Sequence, residues 1–174
     1  NNYSSAANLY KNYLMKYPND QEVRFKLAQI FIWQNNLCEA SEIADQLLLS
    51  SKENKDYMML VAQMNYWLDK DLLITESLFE KVLITDPKNM DAMFGLAFVY
   101  LKNNNLHNAE KIINEISLID STSQKFVFLY ESFLKVKTQD ELSRLNNILE
   151  KARIFSHRKE YDLSIKSFNE YIFH

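Results

Sequence analysis

The sequence has very little glycine or proline, with one Gly and two Pro among its 174 residues. Tight β-hairpins, β-sandwich corners and phosphate-binding loops depend on these residues, and above all on glycine. Their scarcity excludes most all-β folds and the Gly-rich nucleotide-binding motifs. Because 47% of the residues are hydrophobic, the chain can still bury a core, and the composition predicts an all-α protein.

Groups that carry chemistry are also scarce. Cys38 is the one cysteine, which excludes an intrachain disulfide and any paired-cysteine metal site. The three histidines lie far apart in sequence, without the spacing of metal ligands. Asp69 and Asp71 flank a predicted turn, where carboxylates commonly cap helices. The sequence therefore predicts no enzyme activity, no catalytic residue, no metal site and no cofactor.

Two further absences concern partners. The 20 basic and 23 acidic side chains give a net charge of -3, with no basic block that could neutralise a nucleic-acid backbone. The longest apolar run, 92–101, has ten residues, about half of the ~20 that cross a bilayer. We therefore expect neither nucleic-acid binding nor membrane insertion. With no initiator Met and no signal pattern at the start, we expect a fragment, and the cytoplasm and the bacterial periplasm remain alternative compartments.

An internal repeat is the main positive feature of the sequence. Small residues recur after 34, 35 and 34 positions at Ala6, Ala40, Thr75 and Ala109. A second small series, spaced by 34 and 35, comprises Ala28, Ala62 and Ala97. An aromatic residue follows three positions later as Phe31 and Tyr100, whereas the middle copy has Asn65. A period of about 34 residues is typical of stacked helix-turn-helix units.

On these residues the chain resembles the tetratricopeptide repeat (TPR) family. The resemblance implies a right-handed α-solenoid of antiparallel helix pairs. Small side chains at helix crossings let two backbones approach closely, so we expect Ala28, Ala62 and Ala97 to be buried.

The repeat register also predicts the organisation of the chain. The predicted helices span about 3–16, 21–34, 37–50, 55–68, 71–85, 90–103 and 106–118. We expect a single array over 1–174: one helix of a partial repeat in 1–20, repeats at 21–54, 55–89 and 90–123, irregular helices at 124–144, and a partial repeat at 145–174. The extra residue of the middle copy is placed in the turn at 68–71. Neither end carries a polar cap, so we expect a piece of a longer array.

The resemblance implies that a concave surface is formed mainly by the first helix of each repeat. Nine residues of these helices are predicted to bind a partner: Phe25, Gln29, Trp33, Met59, Gln63, Tyr66, Trp67, Phe94 and Phe98. The two glutamines and the two tryptophans each recur after 34 positions. Two interpretations of the tryptophans remain open, because they can pack beneath the next repeat or face a ligand.

Two functions compete. The first is a non-catalytic scaffold that binds a peptide or helix of a partner protein in the concave groove. The basic residues with which the co-chaperones of this family hold a peptide carboxylate are absent from it. The second follows from a looser resemblance of Leu27–Trp33 and Trp67 to periplasmic repeat regions of bacterial polysaccharide-export proteins. It implies contact with a glycan or with export partners, with aromatic rings stacking on sugars.

Overall fold

A computed structural model describes residues 2–157 and 161–172, which fold into α-helices without a β-strand among them. The helices are α1 (Asn2–Lys16), α2 (Gln21–Trp33), α3 (Leu37–Ser50), α4 (Lys55–Trp67), α5 (Leu72–Thr85), α6 (Met90–Lys102), α7 (Leu106–Ile119), α8 (Gln124–His157) and α9 (Tyr161–Ile172). They form two compact units, with α1–α7 in the first, which ends at Ser121, and α8 and α9 in the second.

The first unit is a series of helix-turn-helix repeats. Each of its helices packs against the next along the chain, and α4 also contacts α6. The predicted boundaries of all seven helices agree with the structure to within one residue. This serial packing is the α-solenoid arrangement that the repeat predicts.

Alanines line the contacts between paired helices, as the register predicts. Ala28, Ala62 and Ala97 have no exposed surface. In the second series Ala40, Thr75 and Ala109 are equally buried, whereas Ala6, on the terminal helix α1, is only half-buried. The single glycine, Gly95, allows α6 to approach α5 closely, because a Cβ there would meet the ring of Phe79. Small side chains therefore fix the spacing of the helices.

Left-handed residues close the turn within each repeat without glycine. Asn35, Asp69 and Asn104 have φ values of 59°, 54° and 55°. Asn and Asp adopt this conformation more readily than other non-glycine residues. The amide of the following residue donates back to the last turn of the helix, as from Asn36 N to Phe31 O at 2.8 Å. This is the Schellman pattern of a helix C-terminus.

Asparagine and aspartate also begin the helices. The side chains of Asp20, Asn54 and Asn89 each accept a hydrogen bond from a backbone amide in the first turn of α2, α4 and α6. In the middle copy the turn 68–71 holds one residue more than its counterparts, and that residue, Asp71, caps α5. The extra residue is thus accommodated where the sequence predicts it, without disturbing either helix.

The second unit differs from the prediction. Where irregular helices over 124–144 and a separate partial repeat from 145 are expected, one helix, α8, runs without a break and packs against α9. No proline or glycine lies between its ends, so nothing in the local sequence stops the helix. Residues 158–160, 173 and 174 of the expected partial repeat lie outside the described residues. In the described part of the chain, no helix is both long and apolar enough to span a membrane.

Candidate functional site

A groove of about 340 Å³ runs across the first helices of the repeats in the first unit. Its walls come from α2 and α4, and the start of α6 closes one end. Six of the nine predicted binding residues line it: Phe25, Gln29, Trp33, Met59, Gln63 and Trp67. Residues from two successive repeats meet here because the 34-residue period places equivalent positions side by side.

The two tryptophans are the most exposed of these six. Trp33 is 62% exposed and Trp67 is 48% exposed. The interpretation in which they pack beneath the next repeat is therefore wrong. Trp33 rests against Tyr3 of α1, with ring centroids 5.5 Å apart, and the rest of its ring is open to solvent. Large aromatic rings held in this way are frequent anchors in binding sites.

Aromatic and amide groups form the interior of the groove. Phe25 of α2 contacts Tyr57 of α4, with ring centroids 5.8 Å apart. Gln29 and Gln63 are half-buried at equivalent positions of α2 and α4. Half-buried amides next to apolar surface can donate and accept hydrogen bonds with a peptide backbone or a sugar hydroxyl.

The charge of the groove is negative. Its described lining residues include the carboxylates Asp56 and Asp91 and no basic side chain. Lys26 of α2, which is not among the lining residues, forms an exposed ion pair with Glu22 at 2.6 Å. Asn89 Nδ2 and Lys55 Nζ donate hydrogen bonds to Asp86, which lower the pKa of that carboxyl beside the groove. The described lining of the groove therefore carries negative charge and no positive charge at this end.

Three predicted residues lie elsewhere. Phe94 is 4% exposed and does not line the groove, because α6 packs against α4, α5 and α7 and is covered on more sides than α2. Tyr66 and Phe98 contact each other with ring centroids 6.4 Å apart, outside the groove lining. Lys102 Nζ lies 5.0 Å from the Tyr66 ring centroid and pairs with Asp69 at 2.6 Å. Burial raises the pKa of Tyr66, against the opposite effect of Lys102.

The described part of the chain does not bring metal-binding side chains together. No group of three or more His, Cys, Asp or Glu side chains there could hold a metal ion. His107 is exposed near the start of α7, Cys38 is exposed on α3, and His174 lies outside the described residues.

Asn89 belongs to the groove but is absent from the predicted set. Its place as the N-cap of α6 is one period after Asn54, the N-cap of α4. That register was available in the sequence. The contribution of a cap residue to the groove depends on how α4 and α6 lie side by side, which the register alone does not specify.

Comparison with protein families gives a match to the tetratricopeptide repeat model over residues 1–64 and 75–125. A TPR repeat-containing protein of Methanocaldococcus jannaschii is 40% identical over 60 residues, which cover 34% of this chain and 18% of that protein.

Solved structures share the fold at low identity. A tetratricopeptide repeat protein from Parabacteroides merdae has a TM-score of 0.66 at 19% identity, covering 98% of this chain and 59% of that one. A thermophilic TPR protein from Thermus thermophilus has a TM-score of 0.58 at 16% identity, covering 96% and 89%. The chain thus spans less than two thirds of the archaeal relative and of the Parabacteroides structure.

Proposed function

Since the chain belongs to the tetratricopeptide repeat family, we propose that it is a scaffold whose groove binds a peptide or helix of a partner protein. The main observation in support is that two exposed tryptophans line the groove, Trp33 on the wall formed by α2 and Trp67 on the wall formed by α4. Exposed large aromatic side chains in a concave site are the usual anchors of a protein interface.

The groove also favours a particular kind of segment. The tryptophans, Phe25 and Met59 provide apolar contacts, whereas Asp56 and Asp91 provide negative charge. We propose that the bound segment combines apolar side chains with at least one lysine or arginine. Electrostatic complementarity of this kind contributes to specificity and association rate more than to affinity.

The two tryptophans provide a direct assay, because the chain has no others. Random peptides displayed on phage are selected on the immobilised chain, and the enriched sequences are synthesised and titrated against its intrinsic fluorescence. We expect enriched peptides to carry apolar residues next to Lys or Arg and to shift the emission as they cover the rings.

Trp33→Ala and Trp67→Ala each leave one tryptophan as a reporter. Each should weaken peptide affinity by about 2 kcal/mol, or roughly 30-fold. Because about half or more of each tryptophan is exposed, stability should fall by less than the ~3 to 5 kcal/mol of a buried tryptophan truncation. Leu118→Ala, at an 88% exposed position of α7, serves as the control and should leave affinity unchanged.

The same variants test the alternative, a glycan ligand. If oligosaccharides on an array bind the chain and lose binding in both tryptophan variants while no peptide is enriched, the groove is a carbohydrate site. If peptides bind all variants with equal affinity and leave the emission unchanged, the proposed groove is wrong.

A further inference from the structure

A second pocket, of about 570 Å³, lies on the side of α4 opposite the groove. Its walls come from α3, α4 and α5, and its surface is mostly apolar, with Leu48, Met58, Val61 and Leu78 among the lining residues. Asn65 is the polar residue that α4 places in it. We call this the Asn65 pocket. It shares no lining residue with the groove.

The other repeats show why the pocket exists. In the first repeat, Phe31 occupies the position equivalent to Asn65, and Lys11 Nζ of the preceding helix lies 5.0 Å from its ring centroid. In the third repeat, the Tyr100 hydroxyl donates to Glu80 Oε1 of the preceding helix at 3.2 Å. An aromatic side chain thus spans the gap between neighbouring helices in both copies. Asparagine is too short to do so, and the gap in the middle repeat stays open.

Asn65 is 7% exposed, and neither polar atom of its side chain is both fully buried and without a hydrogen-bond partner. An amide on the wall of an apolar pocket can form a hydrogen bond with a ligand that enters it.

The charged residues that line the pocket are three lysines and two aspartates. Lys70 Nζ donates to Ser41 Oγ at 2.7 Å and lies 3.9 Å from Asp45 Oδ2. The Asp71 carboxylate accepts from the Leu73 and Ile74 amides as the cap of α5. Both carboxylates are therefore engaged. Lys52 and Lys81 also line the pocket, and neither forms an ion pair with a described residue.

We propose that the Asn65 pocket binds a small anionic amphiphile, such as an aliphatic or aromatic carboxylate. The apolar body lies against α3, α4 and α5, a polar atom reaches the Asn65 amide, and the anionic head lies near Lys52 and Lys81. The volume falls within the ~300 to 1,000 Å³ of small-molecule sites. This site is separate from the groove and does not depend on the function proposed for it.

Two dyes of similar shape test the site on the whole chain. Anilinonaphthalene sulfonate is an anion, N-phenylnaphthylamine is neutral, and both gain fluorescence in apolar pockets. We expect both to bind saturably at one site and to be displaced by decanoate. The anionic dye should bind about tenfold more tightly.

Asn65→Phe places an aromatic ring where the other repeats have one, so it should fill the pocket. We expect it to lower the affinity for both dyes by about tenfold or more. A circular dichroism spectrum and a urea midpoint like those of the wild type show that a loss of binding does not come from a failure to fold. Asn114→Phe, at an exposed position of α7 outside both sites, is the matched control and should leave dye binding unchanged.

Lys52→Gln combined with Lys81→Gln removes the proposed anion contacts at the surface. We expect this double variant to lower the affinity for the anionic dye by about fivefold and to leave the affinity for the neutral dye unchanged. Wild-type binding by the Asn65→Phe variant would overturn the proposed site, and an equal effect of the lysine variant on both dyes would overturn the anion preference. The Trp33→Ala and Trp67→Ala variants should bind both dyes normally, so failure of this site and failure of the groove are distinguishable.

Discussion

Small residues at the helix crossings control how closely the paired helices approach. Ala62 has no exposed surface and lies in α4, which packs against α3, α5 and α6. Ala62→Leu should overpack this contact and lower the free energy of unfolding by about 1 to 3 kcal/mol. Urea denaturation measures the change. Gln46→Leu, at an exposed position of α3, is the control and should stay within about 0.5 kcal/mol of the wild type.

Ala97→Leu provides an independent check in the third repeat, where Ala97 is equally buried. A wild-type unfolding midpoint in both leucine variants would mean that these alanines do not lie at close crossings. The repeat register on which the fold description depends would then be wrong.

Because of Tyr100, we expect the free energy of unfolding to depend on pH in the alkaline range. Burial, followed by the carboxylates Glu80 and Glu76, raises the pKa of its hydroxyl from 10.0 to about 12. The unfolded chain therefore releases this proton at lower pH than the folded chain. The contribution of Tyr100 to stability is complete below pH 10 and is lost as the pH rises through about 12.

Tyr100→Phe removes this titration. Between pH 9 and pH 11.5 the wild type should lose more unfolding free energy than the variant, as measured by urea denaturation at each pH. Parallel losses in the two proteins would show that the Tyr100 hydroxyl titrates alike in the folded and unfolded chains.

At the scale of the helices, the turn within each repeat depends on one left-handed residue. Asn35 has a φ of 59°, a conformation that costs residues with a Cβ roughly 1 to 2 kcal/mol. Asn35→Ala should lower the free energy of unfolding by about 1 kcal/mol, whereas Asn35→Gly should maintain or raise it. Thermal unfolding of both variants measures the difference. Equal stability of the alanine and glycine variants would contradict the role assigned to this residue.

Asparagine residues cap or terminate several of the helices. Asn54, Asn89 and Asn105 cap helices through their side chains, and Asn35 and Asn104 provide the left-handed turns. These residues perform tasks that serine, threonine and glycine often perform in other helical proteins. The near-absence of glycine therefore does not prevent tight turns between the helices.

At the scale of the whole molecule, helices α1–α7 share one set of buried residues and form a compact unit that ends at Ser121. A fragment of residues 1–121 should therefore fold by itself. We expect a helical circular dichroism spectrum and a single cooperative transition in urea, since stacked repeats stabilise each other through their interfaces. A non-cooperative or unfolded fragment would show that the first unit depends on the second.

Two faces of α4 carry the two candidate sites. Met59, Gln63 and Trp67 face the groove, while Met58, Val61 and Asn65 face the Asn65 pocket. In a stacked array each first helix is sandwiched between second helices on one side and exposed on the other. One helix can therefore serve two binding sites of different chemistry.

The periodic sequence by itself determined the fold of the first unit. A period of about 34 residues with alanines at fixed offsets identifies the repeat, predicts seven helices and places Ala28, Ala62 and Ala97 in the core. The same register placed Trp33 beside Trp67. These features are local or repeat regularly, so they can be read without knowing how distant segments pack.

Only the tertiary structure determines which side chains remain exposed to solvent once the helices have packed. Trp33 and Trp67 lie in the groove and not beneath a repeat, whereas Phe94 is covered because α6 has more neighbours than α2. The break in the aromatic series at Asn65 is visible in the sequence, but the pocket is formed only where α3, α4 and α5 pack together. Exposure and cavities depend on the spacing of whole helices, which no single position of the sequence encodes.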